Sequence, residues 1–153
     1  MKILLIILFL FNIAPNAAVN AAATKTVNEV SVMILGDSLS TGYGLPADAG
    51  WVNLLEQQLQ ALSPHYHVIN VSISGETTLG GRNRIEQALK THQPDIIIIG
   101  LGGNDGLRGA PIQSIHDNLE AIIQTCLRNN VTPIVAGMQL PPNYGITYTQ
   151  KFR

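Results

Sequence analysis

Charge is scarce in this chain: Asp, Glu, Lys and Arg make up 12% of its 153 residues, against about 25% in a typical soluble protein. Disorder does not follow, because 46% of the residues are hydrophobic and a disordered chain couples low hydrophobicity to high charge. Basic excess is also lacking, with nine Lys and Arg against ten Asp and Glu for a net charge of −1. Nucleic acid is therefore a poor candidate partner, since phosphate binding draws on a surplus of basic side chains. Cysteine is scarcer still. Cys126 stands alone, which excludes an internal disulfide and any CxxC or four-cysteine metal site. Stability has to come from packing.

A long apolar run occurs only once, over the nine residues Ile3 to Phe11. As a helix it would rise about 14 Å, under half of the ~30 Å hydrocarbon core of a membrane. Lys2 precedes it, and Asn12 to Ala23 turns small and polar, ending Asn20-Ala21-Ala22-Ala23. That is the layout of a secretory signal peptide cleaved after Ala23. The expectation is a periplasmic or secreted protein without a membrane anchor, with residues 1–23 removed. Residues 24–153 then form one domain, about 130 residues long with a net charge of −2.

From Val30 onward, short apolar runs alternate with helical periodicity, the pattern of β-α-β units around a mostly parallel sheet. Four strands are expected: Val30 to Leu35, Val68 to Val71, Asp95 to Leu101 and Thr132 to Met138. The Ile96-Ile97-Ile98-Ile99 run is continuous enough to be buried on both faces. Val52, Leu55, Leu59 and Leu62 mark the inner face of one helix, and Ile112, Ile115, Leu119, Ile122, Ile123 and Leu127 that of a later one, with Cys126 beside the stripe as core filler. A middle helix over roughly Leu79 to His92 is expected to begin as a loop, because Gly80 and Gly81 each cost about 1 kcal/mol inside a helix.

In an open parallel sheet, the residues just past the carboxyl ends of the strands gather along one edge, where ligands bind. The first strand is followed by Gly36-Asp37-Ser38-Leu39-Ser40, the second by Ser72-Ile73-Ser74-Gly75-Glu76-Thr77-Thr78, and the third by Gly100-Leu101-Gly102-Gly103-Asn104-Asp105-Gly106. Ser38 fits a nucleophile raised on a tight turn, with Gly36 permitting the sharp backbone path; taken alone it fits a helix cap or the closing of a turn better. Gly75 can bring a backbone N–H close to a ligand, or simply serve a turn. Asn104 offers an uncharged amide donor suited to an oxygen that turns negative, and Asn-Asp-Gly is also a turn signal. Together, at three successive strand ends, the three make an oxyanion hole with a serine beneath it. Each such donor is commonly worth about 2.7 to 4 kcal/mol in the transition state.

These segments, Gly36-Asp37-Ser38-Leu39-Ser40-Thr41-Gly42-Tyr43-Gly44, the glycine of Ser-Gly-Glu-Thr-Thr, and Gly-Gly-Asn-Asp, resemble in order the first three sequence blocks of the SGNH or GDSL-type hydrolases. The likeness is nearest to the secreted bacterial branch called acyl-CoA thioesterase I, arylesterase or lysophospholipase. It implies a flavodoxin-like three-layer α/β/α sandwich and hydrolysis of a small acyl ester or thioester. It further implies Ser38 as nucleophile, and an oxyanion hole from its own N–H, the N–H of Gly75 and the Asn104 amide. Serine chemistry of this kind needs no cofactor, and no metal-ligand cluster stands out in the sequence.

One part of that pattern is missing. The family places an Asp-x-x-His motif near the C-terminus as the general base; no Asp-x-x-His or Glu-x-x-His occurs here, and Thr132 to Arg153 contains no Asp, Glu or His. The expectation is a C-terminally truncated chain lacking the last strand and helix, inactive or weakly active. His65, His67 and His92 are expected at the wrong edge of the sheet, and His116 on the outer face of its helix. Asp37 is expected as a turn former and Asp105 as a loop stabiliser, with Arg82, Arg84 and Asp117 on a solvated face. The loop from Leu107 to Pro111 would wall part of the substrate groove or serve as a plain connector. A different class of function, a non-catalytic module holding an anion or nucleotide, is suggested by Gly100-x-Gly102; Asp105 at the third glycine position of a dinucleotide fingerprint argues against it.

Overall fold

The computed structural model describes residues 29–46 and 48–153. The expected signal peptide lies outside the described residues. β1 (Val30–Gly36) leads into a single-turn helix α1 (Ser38–Thr41), then α2 (Trp51–Leu62), β2 (Tyr66–Asn70), α3 (Thr78–His92) and β3 (Ile96–Gly100). A second short helix α4 (Gly103–Leu107), the long α5 (Ile112–Arg128), β4 (Thr132–Val135), a 3₁₀ turn at Pro142–Tyr144 and α6 (Ile146–Phe152) complete the order.

All strand pairs are parallel, in the order β2-β1-β3-β4. Side chains alternate across the sheet. Val32, Ile34, Ile96 and Ile98 face α2, packing on Val52, Leu55 and Leu59, while Met33, Leu35, Ile97 and Ile99 face α3 and α5 through Ile85, Leu89, Ile122 and Cys126. One helix on one face and two on the other make the expected three-layer α/β/α sandwich. Because β1 feeds β2 on one side and β3 continues on the other, the chain changes direction across the sheet at β1 and β3, whose last residues Gly36 and Gly100 are register partners. The crevice of such a fold opens at this point.

Several local expectations need correction. Gly80 and Gly81 lie within α3, which starts at Thr78. The Thr77 hydroxyl accepts from Gly80 N–H as an N-cap, which offsets the glycine cost locally. Close packing explains Gly81, since a Cβ there would strike the Leu101 side chain. The apolar stripes fray at their ends: Leu62 and Leu127 are exposed rather than buried. β4 stops at Val135, short of Met138. The Asn-Asp-Gly segment forms the helical turn α4 instead of an open turn.

Candidate active site

The three loops after β1, β2 and β3 meet around one side chain. Asn104, in the first turn of α4, donates through Nδ2 to the Asp37 carboxylate at 3.1 Å and to the Glu76 carbonyl at 2.9 Å. Asp37 directly precedes Ser38 and Glu76 directly follows Gly75, so one carboxamide ties together the segments carrying all three predicted site residues. A further contact, Thr41 Oγ1 to Ser74 Oγ at 3.0 Å, also joins the segments that follow β1 and β2. Sequence alone gave no sign that both N–H groups of Asn104 would be engaged.

Ser38 is the first residue of α1 and half-buried. The cap is not Ser38 but Asp37, whose Oδ1 accepts from Leu39 N–H at 3.0 Å, so the serine hydroxyl is not consumed in capping. Gly36 is required by close approach: its backbone angle is ordinary, but a Cβ would overlap the Ser40 hydroxyl and stand 3.0 Å from Ser72 Oγ. Gly75 is the reverse case. A Cβ there would meet nothing within 4 Å, and its φ of +78° is what favours glycine. The conformation is thus a reason for glycine here in addition to the expected close approach to a ligand.

Beneath the loops lies a set of buried polar groups. The Asp105 carboxylate accepts from Thr78 N–H at 2.9 Å and from Thr78 Oγ1 at 2.7 Å. Asn118 Nδ2 donates to Thr78 Oγ1 at 3.2 Å, and Arg82 Nη1 donates to Asn118 Oδ1 at 3.2 Å. Arg84, expected on a solvated face, instead turns inward. Its Nε pairs with Glu76 at 2.8 Å and its Nη1 donates to the Val71 carbonyl at 2.7 Å, bracing the loop that contains Gly75. A charged residue in an amphipathic helix is ordinarily solvated, and no local pattern distinguished this one. At the rim, Arg108 donates to the Gly75 carbonyl at 3.3 Å.

An open cavity of about 370 Å³ adjoins the serine loop, lined by Leu39, Leu107, Met138, Leu140 and Pro141. Of the Leu107 to Pro111 segment, Leu107, the last residue of α4, is the one that lines this cavity. A larger hollow of about 460 Å³ sits at the opposite pole, by Leu89, Pro94 and Val131, at the amino ends of β3 and β4 and away from these loops. Tyr148 of α6 donates its hydroxyl to the Ala110 carbonyl at 2.7 Å; burial, and secondarily the charge of Asp105, pushes its phenol pKa up.

His65, His67 and His92 are exposed, as expected. His116 is exposed on α5 beside Asp117 at 3.3 Å and Glu120 at 3.9 Å. The sequence showed no metal-ligand cluster, yet these three bring ligand atoms within 4.8 Å of one another. All are solvent-exposed neighbours on one helix. Hydrogen bonding from Gln113 and then His116 holds the Asp117 carboxyl below the usual range.

Residues 34–152, which include all three loops, match the model of the GDSL-like Lipase/Acylhydrolase family. The chain belongs to this family. Among GDSL-like relatives, Esterase TesA of Pseudomonas aeruginosa is 39% identical over 129 residues, covering 84% of this chain and 64% of that protein. Thioesterase 1/protease 1/lysophospholipase L1 of Escherichia coli is 42% identical over 132 residues, covering 86% of this chain and 60% of that protein. The crystal structure of TesA superposes with a TM-score of 0.77 at 39% identity, over 80% of this chain and 68% of that one. A psychrotrophic esterase EstA from Pseudoalteromonas sp., inhibited by monoethylphosphonate, gives the same TM-score and identity over 81% and 68%. The chain thus spans 60–64% of the length of these two curated GDSL-like relatives. Among the described residues, no helix is long and apolar enough to cross a membrane.

Proposed function

We propose that this chain carries the nucleophile and oxyanion-hole portion of a serine esterase or thioesterase acting on small acyl esters or thioesters. Ser38 Oγ would attack the acyl carbonyl carbon and lose its proton to a base. The carbonyl oxygen, now negative, would be held by the N–H groups of Ser38 and Gly75 and by the Asn104 amide. The leaving group departs as the carbonyl re-forms, and water resolves the acyl-enzyme. The single observation carrying this reading is the Asn104 carboxamide bridging Asp37 and Glu76, the chain neighbours of Ser38 and Gly75. Since both its N–H groups are engaged, the forming oxyanion would take over the longer bond, the one to Asp37. The apolar cavity beside Leu39 suits an acyl chain.

The 153 residues contain no Asp-x-x-His, and the four histidines are all exposed. Without that base, about 10²- to 10⁴-fold of acid–base catalysis is forgone, while an oxyanion hole with binding alone retains roughly 10³-fold over water. Weak turnover is the expected behaviour of these 153 residues alone. Hydrolysis of a short aryl ester by this chain extended with the C-terminal part of the TesA relative should be rapid, and abolished by Ser38→Ala. Equal rates for the two would reject the reading. The leader supports export to the periplasm or medium; mass analysis of that fraction should find a chain beginning at Thr24, and a cytoplasmic chain retaining Met1 would oppose it.

A further inference from the structure

We propose that Asp105 is a positioning residue for the oxyanion hole, acting through Thr78; this rests on the esterase reading above. The buried polar or charged side chains among the described residues are Asp37, Ser40, Thr78, Asp105 and Asn118. Three of these five form one connected chain of donors: Arg82 gives to Asn118, Asn118 to Thr78, and Thr78 to Asp105. Every hydrogen bond in it points toward the carboxylate, so each polarises the next.

The geometry explains what this buried charge is for. Asn104 and Asp105 are consecutive on α4 and grip the same turn at two points. Asn104 holds the carbonyl of Glu76, while Asp105 holds the N–H and hydroxyl of Thr78, two residues further on. Gly75 stands immediately before the gripped stretch. Fixing residues 76 and 78 against α4 therefore fixes the Gly75 N–H relative to the Asn104 amide, and these are the two donors that must converge on one oxygen. Thr78 begins the 15-residue α3, so the carboxylate also lies at a helix amino end, where negative charge is favoured. Buried polar networks of this kind commonly add little stability over apolar residues of the same volume. Precise spacing of the donors is the property an apolar replacement would not supply.

The hydroxyl of Thr78 can be removed or kept with little change of shape, so Thr78→Val and Thr78→Ser form the test pair, made in the chain extended with the C-terminal part of the TesA relative so that Ser38 has its base. The probe is an alkyl phosphonofluoridate: Ser38 Oγ bonds to phosphorus, fluoride leaves, and the hydroxyl proton passes to solvent, while the phosphoryl oxygen occupies the oxyanion position. Rates are read by intact mass, and the Asn104 side-chain amide by its nitrogen-proton NMR signals. Thr78→Val should slow labelling about tenfold and shift the Asn104 amide signals, whereas Thr78→Ser stays within about twofold of the parent. Leu89→Ala, at the far pole of the core, should lower the melting temperature without moving either readout. Should Thr78→Val fail to fold, Asp105→Asn, which keeps the shape and removes one acceptor, replaces it with the same expected slowing. Labelling of Thr78→Val at the parent rate, with unmoved Asn104 signals, overturns this proposal alone. Absence of Ser38 labelling in the extended parent, which carries the base, overturns the esterase reading and this proposal together.

Discussion

A methyl group on Gly36 would intrude on the Ser40 hydroxyl and stand 2.7 Å from Ser40 Cβ, so Gly36→Ala has to displace the turn that presents Ser38. We expect it to cost about 1–3 kcal/mol in urea unfolding, the usual range for overpacking. Gly137→Ala is the control, because nothing lies within 4 Å of that position, and it should fall within about 0.5 kcal/mol of the parent. Cys126 offers a pH test. Burial raises its thiol pKa from 9.0 to about 11. As pH climbs past about 9, the unfolded chain gives up this proton before the native one does, so the stability contributed by the buried thiol is complete below pH 9 and is lost between 9 and 11. The drop in urea midpoint from pH 8 to pH 10.5 should therefore be smaller in Cys126→Ala than in the parent. That the segments carrying Ser38, Gly75 and Asn104 would meet was legible, because they follow three strands of one parallel sheet. The partnership of Asp105 with Thr78 was not, since the two lie 27 positions apart and neither carries a local signal of the other.

The four strands and three long helices were legible because their apolar residues repeat over enough positions to reveal the period. α1 and α4, with four and five residues, are shorter than any window in which a period can be counted. α3 shows the opposite difficulty: its intrinsic propensity at Gly80 and Gly81 argues against a helix that tertiary contacts impose. Thr77 caps it, Asp105 satisfies its first N–H, and the absence of a side chain at Gly81 lets it lie against Leu101. Two opposed effects can be separated by substitution here. Gly81→Ala improves helix propensity by about 1 kcal/mol but inserts a methyl into the Leu101 side chain, and the steric term should win. A net loss of about 1–2 kcal/mol in thermal or urea unfolding is expected. Thr77→Ala should lose about 1 kcal/mol through the cap alone. Stabilisation by Gly81→Ala would mean that α3 and β3 are less tightly packed than the Leu101 contact indicates.

At the scale of the whole molecule, the described residues leave one side of the sheet open. β4 pairs with β3 through Thr132 to Val135, and among the described residues no strand pairs with its other edge. Ile134 and Val135, successive residues pointing to opposite faces, are 49% and 45% exposed, so neither layer of helices covers them fully. Pro133 removes one donor from this strand, a feature confined to edges, but the remaining carbonyls and N–H groups still form a template for another chain. With a net charge of −1, long-range repulsion does little to oppose such pairing. Self-association that rises with concentration is the expected outcome in sedimentation velocity. Placing a charge on the edge through Ile134→Lys should weaken it without touching the loops at the carboxyl end of the sheet. Extension with the C-terminal part of a GDSL-like relative should weaken it as well, if that segment covers β4, and should restore esterase turnover in the same preparation. A parent chain that sediments as a clean monomer throughout would show that the β4 edge is already protected, and would remove the physical basis for linking association to exposure of Ile134 and Val135.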